Sequence, residues 1–132
     1  MTKKLETRLE IKSWDEKPYR ELADGRKFTR AEVQLAGGAD GLESGAFDAL
    51  MYYRADGTGT YVTLMSLSAT LDGRTGDVVL QGEGTYDGTS ARIGYHVVEA
   101  TGGLAGLTGT GESVSTHADY PHMPLTLAYD LS

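Results

Sequence analysis

Four tyrosines, Tyr53, Tyr61, Tyr95 and Tyr129, sit in stretches where apolar and polar residues alternate, each on the parity of its apolar neighbours. A tyrosine so placed joins an apolar ring to a hydroxyl that donates a hydrogen bond. That donor can polarise a carbonyl or steady a developing oxyanion, the fixed-dipole help that a cyclisation or isomerisation needs. Phe47, Met51 and Met65 share the parity and add adaptable apolar lining. The expected ligand-binding set is therefore Phe47, Met51, Tyr53, Tyr61, Met65, Tyr95 and Tyr129, with Tyr61 and Tyr95 as the acting hydroxyls. Glu43 shares the parity of Phe47 and Met51 and is a third catalytic candidate. Glu83 and Glu112 fall on the opposite parity near Arg92 and read as surface ion pairs, and Asp48 as a surface or interface residue.

Other chemistries find less support. His117, Asp119 and His122 fall close together, but loop spacing of this kind is unspecific and a turn-stabilising role suffices. No metal and no cofactor are expected. With no Cys there is no disulfide, thiolate nucleophile or Cys-based metal site. The glycine-rich run 102–111 is no phosphate loop, because no Lys or Arg follows Arg92 and a strand rather than a helix comes next. A serine triad is not indicated, since no Gly-x-Ser-x-Gly elbow occurs.

The chain of 132 residues, 39% of them hydrophobic, suits one packed domain over 1–132. Its formal net charge of -7 works against nucleic-acid binding. The charges are unevenly spread: nine of the 12 basic residues lie in the first thirty positions, and from residue 31 on only Arg54, Arg74 and Arg92 remain. No apolar run approaches the ~18 residues of a membrane helix, and the start leads into charges rather than a signal-peptide core. A cytoplasmic protein without membrane partners is expected.

The elements that must hold these side chains are announced by a beat. Asp-Gly recurs at Asp24-Gly25, Asp40-Gly41, Asp56-Gly57, Asp72-Gly73 and Asp87-Gly88, and Gly102-Gly103 and Ala118–Pro121 continue the spacing. Asp-Gly favours hairpin corners because Gly takes φ > 0 freely and Asp tolerates it. Seven corners imply eight strands, expected at about 4–14, 27–36, 42–54, 58–70, 75–86, 89–99, 106–116 and 123–131, each end uncertain by about 2–4 residues. A short turn or helix fits within 15–24, after Pro18. Such a run leaves two exposed edges unless it closes, so the expected fold is an all-β, antiparallel, up-and-down barrel of eight strands.

By parity, the interior takes Leu5, Leu9, Ile11, Ala31, Val33, Leu35, Leu67, Val78, Leu80, Ile93, Val97, Leu107, Leu125 and Leu127 beside the ligand-binding set. A two-residue loop at Asp87-Gly88 would set Leu80 opposite Tyr95, Val78 opposite Val97 and Glu83 opposite Arg92. Gly82, Gly84, Gly109 and Gly111 face inward, either leaving space beside the tyrosines or only bending strands. Leu50, Tyr52, Val62 and Leu64 fall on the outer face of neighbouring strands and form a candidate homo-oligomer contact.

Trp14-Asp15-Glu16-Lys17-Pro18-Tyr19, Phe28-Thr29-Arg30-Ala31, Leu71-Asp72-Gly73-Arg74-Thr75-Gly76, Leu80-Gln81-Gly82-Glu83-Gly84-Thr85-Tyr86-Asp87 and Leu104-Ala105-Gly106-Leu107-Thr108-Gly109-Thr110-Gly111 together resemble the signature of an uncharacterised bacterial family of unknown function. The resemblance covers nearly the whole chain and implies a barrel similar to allene oxide cyclase. That superfamily includes enzymes that cyclise or isomerise hydrophobic substrates inside the barrel. No catalytic residue of the plant cyclase matches a position here, so the fold carries over and the chemistry does not. Three functions stand as expectations: a cyclase or isomerase of a small hydrophobic molecule held in the lumen, a non-catalytic carrier of such a molecule, or a filled barrel acting through oligomeric contacts. A carboxylate or His facing inward beside the tyrosines would favour catalysis, and an all-apolar lining would favour carriage.

Overall fold

The Asp-Gly corners divide the chain as their spacing implies. The computed structural model describes residues 2–37 and 41–131, so Asp40 of the second corner lies outside the described residues. The strands are β1 (Lys3–Glu21), β2 (Lys27–Ala36), β3 (Leu42–Tyr53), β4 (Gly59–Leu71), β5 (Arg74–Tyr86), β6 (Ser90–Gly102), β7 (Thr108–Thr116) and β8 (His122–Asp130). Each pairs antiparallel with the next, and β8 returns to β1 from Lys3↔Tyr129 to Glu10↔His122, closing the barrel. One 3-10 turn, Ala23–Gly25, follows β1. Among the described residues no helix is long and apolar enough to cross a membrane.

The corners are of two kinds. At Asp72-Gly73 both residues have positive φ, 53° and 77°, and the two-residue loop joins the paired Leu71 and Arg74. That conformation suits the right-handed twist of the flanking strands. At Asp87-Gly88 the aspartate instead accepts hydrogen bonds through Oδ1 from the backbone N–H of Thr89 at 2.9 Å and Ser90 at 2.8 Å. These bonds hold its carboxyl below the usual range and widen the loop to Asp87–Ser90. The expected two-residue register is therefore corrected by two positions: Gly82, not Leu80, faces Tyr95, Leu80 faces Val97, and Glu83 faces Gly94. Beyond a bulge at Val79/Leu80, Val78 pairs with Ala100. A slip of two keeps every side chain on its expected face.

Strand β1 also departs from expectation, running to Glu21 rather than ending near residue 14. Two bulges accommodate it, at Ile11/Ser13 and Pro18/Arg20, and a proline without an N–H is tolerated at the second. The first bulge exchanges the faces of the strand. Leu5, Leu9 and Ile11 belong to the interior, and beyond the bulge Trp14 and Glu16 turn inward instead.

The interior is filled at one end only. Where β1 begins and β8 finishes, Leu35, Leu42, Leu67, Leu71 and Leu127 are buried, joined by Leu104 and Leu107 from the loop before β7. Leu107 takes its expected interior place one residue before β7 starts at Thr108. Burying a leucine contributes about 1.5–3 kcal/mol, so this end anchors the ring. Toward the other end β5 presents Gly82 and Gly84, and the space they leave is taken by rings. A Cβ on Gly84 would meet Tyr61 Cζ at 2.6 Å and the Arg92 carbonyl oxygen at 2.5 Å; one on Gly82 would meet Tyr95 Cδ1 at 2.8 Å and the Gly94 carbonyl oxygen at 2.6 Å. The glycines thus seat the aromatic rings against the wall. Gly84→Ala should cost about 1–3 kcal/mol, because the Arg92 carbonyl cannot yield as a side chain can. An unchanged thermal unfolding midpoint would show that the ring is not seated there.

Candidate functional site

At the end where β1 finishes and β8 begins, the barrel is hollow. A cavity of about 1000 Å³ is lined by residues of all eight strands, among them Ile11, Phe47, Met51, Tyr61, Tyr95, Ser113 and Met123. This lies at the upper end of the volumes usual for small-molecule sites. Of the ligand-binding set, Phe47, Met51, Tyr53, Tyr61 and Tyr95 line the cavity, whereas Met65 and Tyr129 are buried and do not. Tyr129 pairs with Lys3 and Gly109 at the filled end.

The charged centre of the site is Glu16, which lines the cavity. Its Oε2 accepts hydrogen bonds from Tyr53 OH at 2.8 Å and Thr29 Oγ1 at 2.8 Å, and its Oε1 from Trp14 Nε1 at 3.0 Å. Three donors on one carboxylate fix its orientation and leave acceptor capacity on Oε1. Trp14 is held in turn by Phe47, whose ring meets it edge-on at 5.9 Å. Sequence parity did not find Trp14 or Glu16, because the bulge that turns them inward leaves no local signature. Glu43 is the converse case: a bulge between Leu42 and Ser44 buries Leu42 instead, and Glu43 is exposed, accepting from Thr70 Oγ1 at 2.9 Å. Its expected place on the inward face with Phe47 and Met51 is corrected accordingly.

Tyr53, Tyr61 and Tyr95 stay protonated. Burial pushes Tyr61 up to about 12, and burial together with the Glu16 carboxylate raises Tyr53 well above the ordinary value. Tyr95 is raised by burial and by Tyr61. Tyr53 OH is already engaged as a donor to Glu16, and Tyr61 OH reaches the Arg92 carbonyl only at 3.4 Å, a long bond that a better acceptor can displace. Thr63 also faces the cavity, 3% exposed, with its hydroxyl unpartnered. At the rim, Tyr86 OH donates to the Gly88 carbonyl at 3.0 Å and stands 2.9 Å from His117 Nε2. Asp119 Oδ2 accepts from the Thr116 N–H and hydroxyl, a turn-closing role. Among the described residues no group of three or more His, Asp or Glu could hold a metal ion.

The profile of a family described as "Protein of unknown function (DUF3224)" matches residues 6–129. A solved structure described as a protein of unknown function from the DUF3224 family of Shewanella oneidensis MR-1 is similar over 100% of this chain and 99% of its own, with a TM-score of 0.77 and 22% identity. At that identity the likeness speaks for the fold. No curated protein matches the chain.

Two outcomes test the site. Thr63→Val removes a buried hydroxyl without a partner and should raise stability by about 1 kcal/mol in thermal unfolding; a loss of similar size would reveal a partner within the protein. The raised pKa of Tyr61 means that folding favours its neutral form. That stability is fully present below the unfolded value near ~10 and lost as pH rises through about 12. Tyr61→Phe should therefore flatten the alkaline fall in stability over that window, and an unaltered fall would place Tyr61 in contact with water.

Proposed function

The chain belongs to the DUF3224 family, and we propose that it binds a small hydrophobic molecule in its lumen and promotes that molecule's cyclisation or isomerisation. The observation that carries this reading is the cavity of about 1000 Å³ with aromatic and methionine walls, closed below by a leucine-packed core. Binding would bury apolar surface of the ligand and select the conformer that fits, which is how a shaped pocket lowers the barrier of an intramolecular rearrangement. Such a rearrangement keeps the substrate's composition, so bonds are redistributed within one molecule and no co-reactant is required. Tyr61 and Tyr95 would act as hydrogen-bond donors to a carbonyl or developing oxyanion, without giving up their protons. Their raised pKa values support this role and disfavour a phenolate base.

Catalysis is favoured over carriage because the lining is not wholly apolar. Glu16 stands beside Tyr53, and Thr63 offers a buried hydroxyl. A carrier needs neither, since an unsatisfied buried hydroxyl costs about 1–3 kcal/mol that only a polar ligand group or water can recover. The absence of cysteine fits a reducing compartment, and we place the protein in the cytoplasm.

Trp14 is the sole tryptophan and lines the cavity, so its fluorescence reports occupancy. Titration with a panel of unsaturated hydrocarbons and unsaturated ketones of matched size should give saturable changes. Tyr61→Phe and Tyr95→Phe should each weaken ketone binding by about 3- to 10-fold, the worth of one hydrogen bond, and leave hydrocarbon binding unchanged. Equal ketone affinity and turnover in the parent and both variants would remove the tyrosine role, and no saturable response to any probe would remove the lumen reading.

A further inference from the structure

On the outside of the barrel, β3 and β4 present Leu50, Val62 and Leu64, which are 49%, 50% and 56% exposed. Tyr52 extends this surface through its ring contact with Phe28 at 5.3 Å, and Phe28 stacks on Tyr19 at 6.1 Å. Three large aliphatic side chains side by side on a sheet face are more than the scattered exposure that any surface shows. Charge flanks the patch in an ordered way. One register row crosses the wall as Arg30↔Leu50↔Val62↔Glu83, and continues as Gly94↔Glu112. Along this row a basic residue therefore stands on one side of the apolar pair and two acidic residues on the other, with Arg92 two positions along β6 from Gly94 on that acidic side. Arg30 contacts Glu32 at 3.1 Å and Asp48 at 3.9 Å, both exposed pairs that contribute little and leave guanidinium donors over. Glu83 makes no ion pair among the described residues.

We propose that this face is the contact of a homodimer, with a second copy of the chain as its occupant. A two-fold axis lying in the interface and running along the strands between β3 and β4 sets β3 of one copy against β4 of the other. Leu50 then meets Val62 of the second copy, and Arg30 meets its Glu83, each contact occurring twice by symmetry. The row Arg-Leu-Val-Glu is complementary to its own reversal, which is the condition for an isologous contact. An axis running across the strands through this row would instead set Arg30 against Arg30. The apolar part of the contact is a narrow strip of three aliphatic side chains flanked by charge, so the dimer is expected to be weak and salt-sensitive.

Sedimentation velocity over a concentration series reaching hundreds of micromolar, at low and high salt, tests this directly. The parent should shift from monomer to dimer with rising concentration, and added salt should weaken association. R30E and E83R should each weaken association by at least about tenfold, a loss of ~1.4 kcal/mol. The double variant R30E/E83R should recover it. Within one copy the two residues are three strand spacings apart, ~14 Å, too far for a direct ion pair and beyond the ~8 Å screening length at ~0.15 M salt, so recovery at that ionic strength must come from the partner. Thermal melts of all three variants establish that the barrel is intact. A parent that stays monomeric throughout overturns the proposal. So does a dimer that ignores both reversals, or one that the double variant fails to restore.

Discussion

The width of an eight-stranded ring governs everything else in this protein. Eight strands enclose a space just large enough to be filled by side chains or to admit one small ligand, and the residue at each inward position decides which. At one end leucines fill it, including Leu104 and Leu107 brought in by a loop rather than a strand. Toward the other end, Gly82 and Gly84 take the inward positions of β5, and Tyr95 and Tyr61 lie where their side chains would be. Large residues standing on glycine keep their rings beside the wall, so the centre stays open. One barrel thus carries both a stabilising core and a hollow.

The polar groups of the hollow are arranged so that its cost stays small. A carboxylate facing an apolar lumen is tolerated because three donors meet it, and they come from β1, β2 and β3. The same contacts orient Trp14 and Tyr53 at the mouth. Tyr61 and Thr63 are less well satisfied, one by a long bond to a carbonyl and the other by none. An incompletely satisfied donor in a cavity is a group available to a ligand, and both lie on β4, where the wall also bears the outer apolar patch.

The five Asp-Gly pairs, with Gly102-Gly103 and Ala118–Pro121 continuing their spacing, were enough to recover strand number and order, because corners are a local property of the chain, and the cost of two open edges then implied closure. Alternation was enough to recover most of the interior, from Leu9 to Leu127, because the side-chain period of a strand admits no compromise. What escaped was decided by single extra residues. The bulge at Ile11/Ser13 turned Trp14 and Glu16 inward, and that at Leu42/Ser44 turned Glu43 out. A bulge is stabilised by the partner strand and not by its own sequence, so parity counted along one strand goes astray just where the site is built. The loop at Asp87–Ser90 is a milder case, since its aspartate chose to bond the following N–H groups and moved the register by two.

Crystallography under xenon pressure probes the hollow itself, independently of any guess about the natural ligand. A hollow with an apolar wall takes up xenon against that wall, whereas a packed interior has no room for it. Strong xenon density between Phe47, Met51, Tyr61 and Tyr95, with the leucine-packed end empty of it, is the expected result. Rings of Tyr61 and Tyr95 swung off Gly84 and Gly82 to meet across the lumen, with no xenon there, would contradict it.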